Sequence, residues 1–183
     1  VDVAVHTETA VRIRGTADTI FRYAAQVEHW PRILPHYRDV RVLATEGPAR
    51  LVEMKARRGW IPIRWCARQT IVPDARRVYF THVRGITRGM EVEWRLEPAA
   101  AGEVAVSIVH DLRLRWPLIG GVVARAIIGP MFVEPTARAT LGHIKRLVES
   151  GRTEDAGNPV AKPSGHPGAT APPGEPRALG GAS

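Results

Sequence analysis

The sequence predicts an α+β fold: one curved, seven-stranded antiparallel sheet wrapped around a long C-terminal helix, with two short helices after the first strand. Three observations predict it. A period-two strand pattern opens the chain and gives way at Gly15 to a short helical pattern that Pro31 stops. About eighty residues of period-two alternation follow Pro35, cut by turn signals at regular intervals. A single apolar stripe at helical spacing then runs through Ala137, Leu141, Ile144 and Val148.

Each element has a local reason. Val3, Val5, Thr7, Thr9, Val11 and Ile13 alternate with Asp2, His6, Glu8 and Arg12, as in a half-buried strand. Thr16 is placed to cap a helix whose inner residues are Ile20, Tyr23, Ala24 and Val27, and Trp30 to Leu34 form a second short helix or turn. Turn signals at Gly47-Pro48, Gly59, Pro73-Asp74, Gly85 and Pro98 to Gly102 divide the rest into six strands, 38–45, 49–57, 60–72, 76–84, 88–97 and 103–115. Links this short make successive strands antiparallel neighbours. Leu118 to Val133 is mostly apolar and reads either as a lid resting on a membrane surface or as a helix buried on the sheet. The helix after Pro135 must lay its stripe on a partner, and the sheet is the only large one.

The 183 residues divide into a domain over 1–150 and a tail over 151–183. The tail holds seven glycines and six prolines without apolar periodicity, so it is expected to be disordered. Its charges balance, and the formal net charge of +8 therefore belongs to the domain. Only three of the 26 basic residues are lysine, which fits a biased composition; a basic face for acidic lipid headgroups or an acidic carrier protein is the sharper reading. No aromatic-interleaved basic strand or recognition helix points to nucleic acid. Cys66 is alone, which removes disulfides and cysteine metal sites and points to a reducing, cytoplasmic setting, peripheral to a membrane if the lid rests on one. No signal peptide or run of ~20 apolar residues is present, although the first residue is Val, which leaves room for a trimmed leader. No zinc spacing, G-x-S-x-G or G-x-G-x-x-G motif occurs, so no metal or nucleotide cofactor is expected.

Alternation assigns the faces. The inner sets are Ile61, Ile63, Trp65, Ala67, Gln69 and Ile71; Val78, Phe80 and His82; Met90, Val92, Trp94 and Leu96; and Val104, Val106, Ile108, His110, Leu112 and Leu114. His82, His110 and Gln69 are polar residues on apolar faces. If the link at Gly85 puts His82 opposite Met90, and the link at Pro98 to Gly102 puts Leu96 opposite Val104, then Met90 also faces His110, and the two imidazoles share one row near the Gly59, Gly85 and Pro117 turns, where a cavity mouth would open. A histidine in a dry pocket has a movable pKa suited to proton transfer at an enolic or phenolic oxygen; the plainer role is a hydrogen-bonded core residue. Trp30, Met54, Trp65, Phe80, Met90 and Trp94 are core residues that also suit a ligand-contacting wall, and Tyr37 can offer a hydroxyl.

The Trp30-Pro31-x-x-Leu34-Pro35 segment, the Trp65 strand, Gly89-Met90-Glu91-Val92-Glu93-Trp94 and the His110 strand together resemble the START-like polyketide cyclase/dehydrase superfamily over about residues 5 to 149. The resemblance implies a helix-grip fold with a cavity for a hydrophobic small molecule between the sheet and the long helix. It further implies an aromatase/cyclase that folds a poly-β-ketone and promotes aldol closure and dehydration; His110 and His82, which alternation turns inward, are then the candidate catalytic residues, and the basic face suits an acyl carrier protein or a membrane surface as a partner. The coenzyme Q-binding branch of the same superfamily implies instead a non-catalytic carrier of lipid, quinone or isoprenoid, and a stress or regulatory ligand sensor is a third reading. A cavity of ~300 to 1,000 Å³ would suit all three. Aromatase/cyclases tend to carry an arginine two positions before a Pro-Asp or Ala-Asp turn; here that position is Ile71, and the nearby Arg68 has outward parity.

Overall fold

The computed structural model describes residues 2–85, 87–100, 102–115 and 133–151. The expected lid, apart from Val133, and the expected tail, apart from Gly151, lie outside the described residues. Strand β1 (Asp2–Arg14) leads to α1 (Ala17–Ala25), a 3-10 turn (Val27–His29) and α2 (Trp30–Ile33). Strands β2 (Tyr37–Glu46), β3 (Ala49–Arg58), β4 (Ile61–Val72), β5 (Arg77–Gly85), β6 (Met90–Pro98) and β7 (Glu103–Arg115) follow, and α3 (Glu134–Glu149) comes last.

The seven strands form one antiparallel sheet in the order β1-β7-β6-β5-β4-β3-β2. Five tight links make β2 to β7 a meander, and β1 adds to the free edge of β7 over its full length, from Asp2 opposite Arg115 to Arg14 opposite Glu103. Strands β1 and β2 are therefore the two edges, and the chain must cross the sheet between them. Residues 15–36 make that crossing. Thr16 caps α1 by accepting from the Thr19 amide at 3.2 Å. The Trp30 indole donates to the Tyr23 carbonyl at 2.7 Å, which fixes α2 relative to α1.

One apolar core fills the concave face. Ile13, Val52, Met54, Ala67, Val78, Phe80, Trp94, Leu96, Val106, Ile108 and Leu112 from the sheet are buried with Ile20, Ala24 and Val27, and Ala137, Leu141 and Ile144 of α3 close over them. Fully burying one such side chain is worth about 1.5–3 kcal/mol, so the stripe on α3 suffices to hold that helix on the sheet. Register shifts in β2 and between β4 and β5 bend the sheet around it.

The structure corrects two details of pairing. Leu96 lies opposite Val106 rather than Val104, because β6 continues to Pro98 and pairs it with Val104, closing the turn through the Ala99 amide and Glu103 carbonyl. The slip is two residues, so every side chain keeps its face, but Met90 faces Leu112 and His110 faces Val92. Ile61 is 46% exposed rather than inward in the core, because β4 outruns β5, whose last residue, Gly85, pairs with Trp65.

Candidate functional site

Between the sheet and α3 lies a small cavity lined by Trp30, Tyr37, Met54, Trp65, Phe80, His82, Met90, Trp94 and His110. These are nine of the ten side chains singled out from the sequence, drawn together from α2 and six strands. Gln69 lies elsewhere. It is wholly buried, donates to the Ala25 carbonyl at 2.9 Å and accepts from Arg50 at 2.6 and 3.0 Å, so it ties β3 and β4 to the end of α1. Val92, Ile108, Thr87, Val133, Thr136, Ala137 and Thr140 complete the wall. Alternation already turned Val92 and Ile108 inward, and Thr140 follows from the stripe on α3. Thr87 sits in an irregular turn and carries no periodic signal.

The cavity volume is about 70 Å³, well below the expected range. The aromatic side chains occupy the hollow themselves. Trp30 meets Tyr37 edge-on at 4.9 Å and tilts against Trp94 at 5.8 Å and Phe80 at 6.0 Å, while Tyr37 reaches Trp65 at 6.0 Å. Such packing is favourable in itself.

Both histidines belong to this wall but in different settings. Residue Val83 is unmatched on β4, since Cys66 pairs with Arg84 and Ala67 with His82; this bulge aims His82 at Trp65, whose ring it stacks on at 5.9 Å. His82 Nδ1 and Thr87 Oγ1 are hydrogen-bonded at 2.7 Å, and the Gly89 amide donates to the His82 carbonyl. Gly85 lets the bulge close: its φ is 101°, and a Cβ there would sit 2.7 Å from the Arg64 carbonyl oxygen. Burial pushes the His82 pKa down to about 3, with His110 adding repulsion. His110 is half-buried as a residue, but its Nδ1 is buried without a hydrogen-bond partner among the described residues. Burial lowers its pKa to about 4, against a partial upward pull from Asp111. The Trp65 Nε1 is likewise buried and unpartnered among them, unlike that of Trp30.

Other polar groups bound the site. Tyr37 is buried, and desolvation raises its pKa, so it stays a neutral phenol. His36 Nε2 and Thr140 Oγ1 are hydrogen-bonded at 2.9 Å, which pins the segment before β2 to α3; burial, then the nearby His143, lowers its pKa to about 4. Arg68 points outward beside Glu46, and Ile71 occupies the position two before Pro73-Asp74. No cluster of three or more metal-ligating side chains occurs among the described residues, and no helix among them is long and apolar enough to cross a membrane. At neutral pH the site is thus an uncharged apolar wall bearing an unpartnered imidazole nitrogen, an unpartnered indole N–H donor and a phenol.

Residues 13–129 match the family described as polyketide cyclase/dehydrase and lipid transport. Over 101 residues the chain is 28% identical to the granaticin polyketide synthase bifunctional cyclase/dehydratase of Streptomyces virginiae, an overlap of 54% of this chain and 33% of that protein. The chain thus spans about a third of that relative's length. The crystal structure of the Zhui aromatase/cyclase from Streptomyces sp. R1128 superposes with a TM-score of 0.63 at 21% identity, covering 81% of this chain and 98% of that one. A START superfamily protein from Mycobacterium smegmatis does so with a TM-score of 0.64 at 15% identity, covering 79% and 97%. These structures share the fold: a curved antiparallel sheet gripping a C-terminal helix. With the sequence match running over most of the sheet, the chain belongs to the polyketide cyclase/dehydrase and lipid transport family and has the START-like, helix-grip architecture.

Proposed function

We propose that the chain binds a hydrophobic, polyketide-like molecule between the sheet and α3 and promotes its aldol cyclisation and dehydration, with His110 moving the proton. The observation that carries this reading is that His110 lines the apolar cavity and its buried Nδ1 has no hydrogen-bond partner among the described residues. Leaving a polar atom unpaired costs about 1–3 kcal/mol, and a ligand that supplies the missing bond recovers that cost.

The chemistry follows from the protonation state. With its pKa lowered to about 4, His110 is a neutral imidazole at neutral pH and has a lone pair available for an acidic α-proton of a β-ketone. The enolate formed attacks a second carbonyl of the same chain; the negative charge beside the ring raises the imidazolium's stability, so the ring holds the proton and returns it to the new alkoxide. Loss of water then follows a second α-proton abstraction. The Trp65 indole N–H, donor only, suits the developing oxyanion. Confinement by Trp30, Phe80 and Trp94 supplies orientation. A ligand larger than the present cavity must displace wall residues, and Met54 and Met90 are the adaptable ones. His82, held by Thr87 and stacked on Trp65, is assigned the positioning of that wall.

The test is His110→Ala assayed with a poly-β-ketone substrate: turnover is expected to vanish while circular dichroism and thermal melting stay native. Unchanged product formation removes His110 from the mechanism. The largely apolar lining also favours a second reading, a non-catalytic carrier of lipid, quinone or isoprenoid. Native mass spectrometry that finds such a molecule co-purifying intact would favour the carrier over the cyclase.

A further inference from the structure

The hairpin joining β3 and β4 outruns the sheet. Pairing of β3 with β4 continues to Arg58 opposite Ile61, whereas β5 stops opposite Trp65 and β2 starts at Tyr37 opposite Ala56. Ile61 to Arg64 therefore pair only with β3 among the described residues, and past Arg57, whose amide donates to the His36 carbonyl, the hairpin tip has no neighbour on either side. Four residues of β4 extend past β5, an arm of roughly 13 Å at about 3.3 Å per residue.

Its composition is unusual for an unsupported tip. Trp60 is 85% exposed, Ile61 is 46% exposed, Pro62 is exposed and Ile63 is half-buried. Arg57 and Arg64 flank them; Arg64 is paired with Glu53, while the Arg57 guanidinium donates only to the Gly59 carbonyl among the described residues. The neighbouring β5–β6 turn adds Arg84 and Arg88, exposed and without ion pairs among the described residues. Folding gains nothing from placing an indole in water at the end of a two-stranded arm. Trp65, Ile63 and Ile61 alternate on one face, so an apolar strip runs from the cavity wall to the tip.

We infer that this arm docks the protein on an anionic lipid bilayer. A convex tip bearing one indole suits a soft surface into which it can sink, whereas a protein partner must offer a matching pocket. The indole settles at the headgroup level, its ring among acyl carbons and its N–H among polar groups, and the arginines behind it reach lipid phosphates. Each cation near an anionic surface adds about 1 kcal/mol of attraction. Docking does not depend on which chemistry the cavity hosts.

The experiment is co-sedimentation of the full chain with vesicles of phosphatidylcholine alone and of phosphatidylcholine mixed with phosphatidylglycerol. Binding to the mixed vesicles is expected, weakened by salt and by omission of the anionic lipid. Trp60→Ala is expected to weaken it about tenfold or more while Trp60→Phe retains part of it, and Arg57→Gln with Arg88→Gln is expected to weaken it about 10- to 30-fold. An unchanged thermal melt shows that each variant folds, as expected for exposed positions. Equal binding by Trp60→Ala, or no binding to vesicles of either composition, overturns the inference. So does Trp60-dependent binding to an acidic acyl carrier protein with the vesicles left untouched.

Discussion

Lowering the pH from 7 to 5 should destabilise this protein through two neutral histidines in its cavity wall. In the unfolded chain each imidazole takes up a proton near the ordinary value of 6.5, whereas in the folded chain His82 resists protonation down to about 3 and His110 down to about 4. A histidine whose folded pKa is depressed leaves stability intact above 6.5 and erodes it as pH falls toward the folded value. At pH 5 the unfolded state sits 1.5 units below 6.5, which is worth about 2 kcal/mol for a fully buried ring. His82 meets that description. His110 is only half-buried as a residue, so its share is taken as about 1 kcal/mol, giving about 3 kcal/mol for the pair. His36, with a pKa near 4, adds in the same direction. Asp39, Glu93 and Glu149 have lowered carboxyl pKa values and lose their contributions only at more acidic pH, outside this window. Urea denaturation at pH 7, 6 and 5 measures the slope. The double variant His82→Gln with His110→Gln should retain only the shallow dependence left by His36. A wild-type stability flat across this range, or a double variant that loses as much as the wild type, would refute the placement of both rings in a dry wall.

Three further changes test the architecture around the site. Gly85→Ala puts a Cβ 2.7 Å from the Arg64 carbonyl and 2.9 Å from Trp65 Cα at a φ of 101°, and should cost about 2–4 kcal/mol in chemical denaturation with altered tryptophan fluorescence. Gln69→Leu keeps the volume but strips a partner from Arg50 and from the Ala25 carbonyl; a loss of about 2–3 kcal/mol is expected, and a neutral result would mean that the junction of α1 with β3 and β4 rests on packing alone. Thr87→Val removes the hydroxyl bonded to His82 Nδ1 and should cost about 1–3 kcal/mol, visible as a shifted His82 resonance in NMR as well as a lower melting temperature.

Much of the site was legible because it lies on regular strands. Trp65, Phe80, His82, Met90, Trp94 and His110 face one cavity for a reason that one strand shows by itself: side chains two apart share a face. Thr87 escaped because its turn has no period, and its role arises only when the bulge at Val83 brings His82 back over it. Gln69 shows the opposite limit. Parity turned it inward correctly, but the end of α1, forty-four residues earlier, supplies a carbonyl that absorbs it into a structural junction.

The order of elements, their boundaries, the face each residue presents and the resemblance to the family were all determined by the chain's own pattern, because periodicity and turn chemistry act over a few residues. Register, volume and neighbourhood were decided by the tertiary structure. A two-residue slip between β6 and β7 leaves every face unchanged and so is invisible to alternation, yet it sets His110 beside Val92 instead of Met90. The cavity shrank to about 70 Å³ because aromatic rings from α2, β2, β4, β5 and β6 interlock there, a sum over distant residues that no local pattern contains.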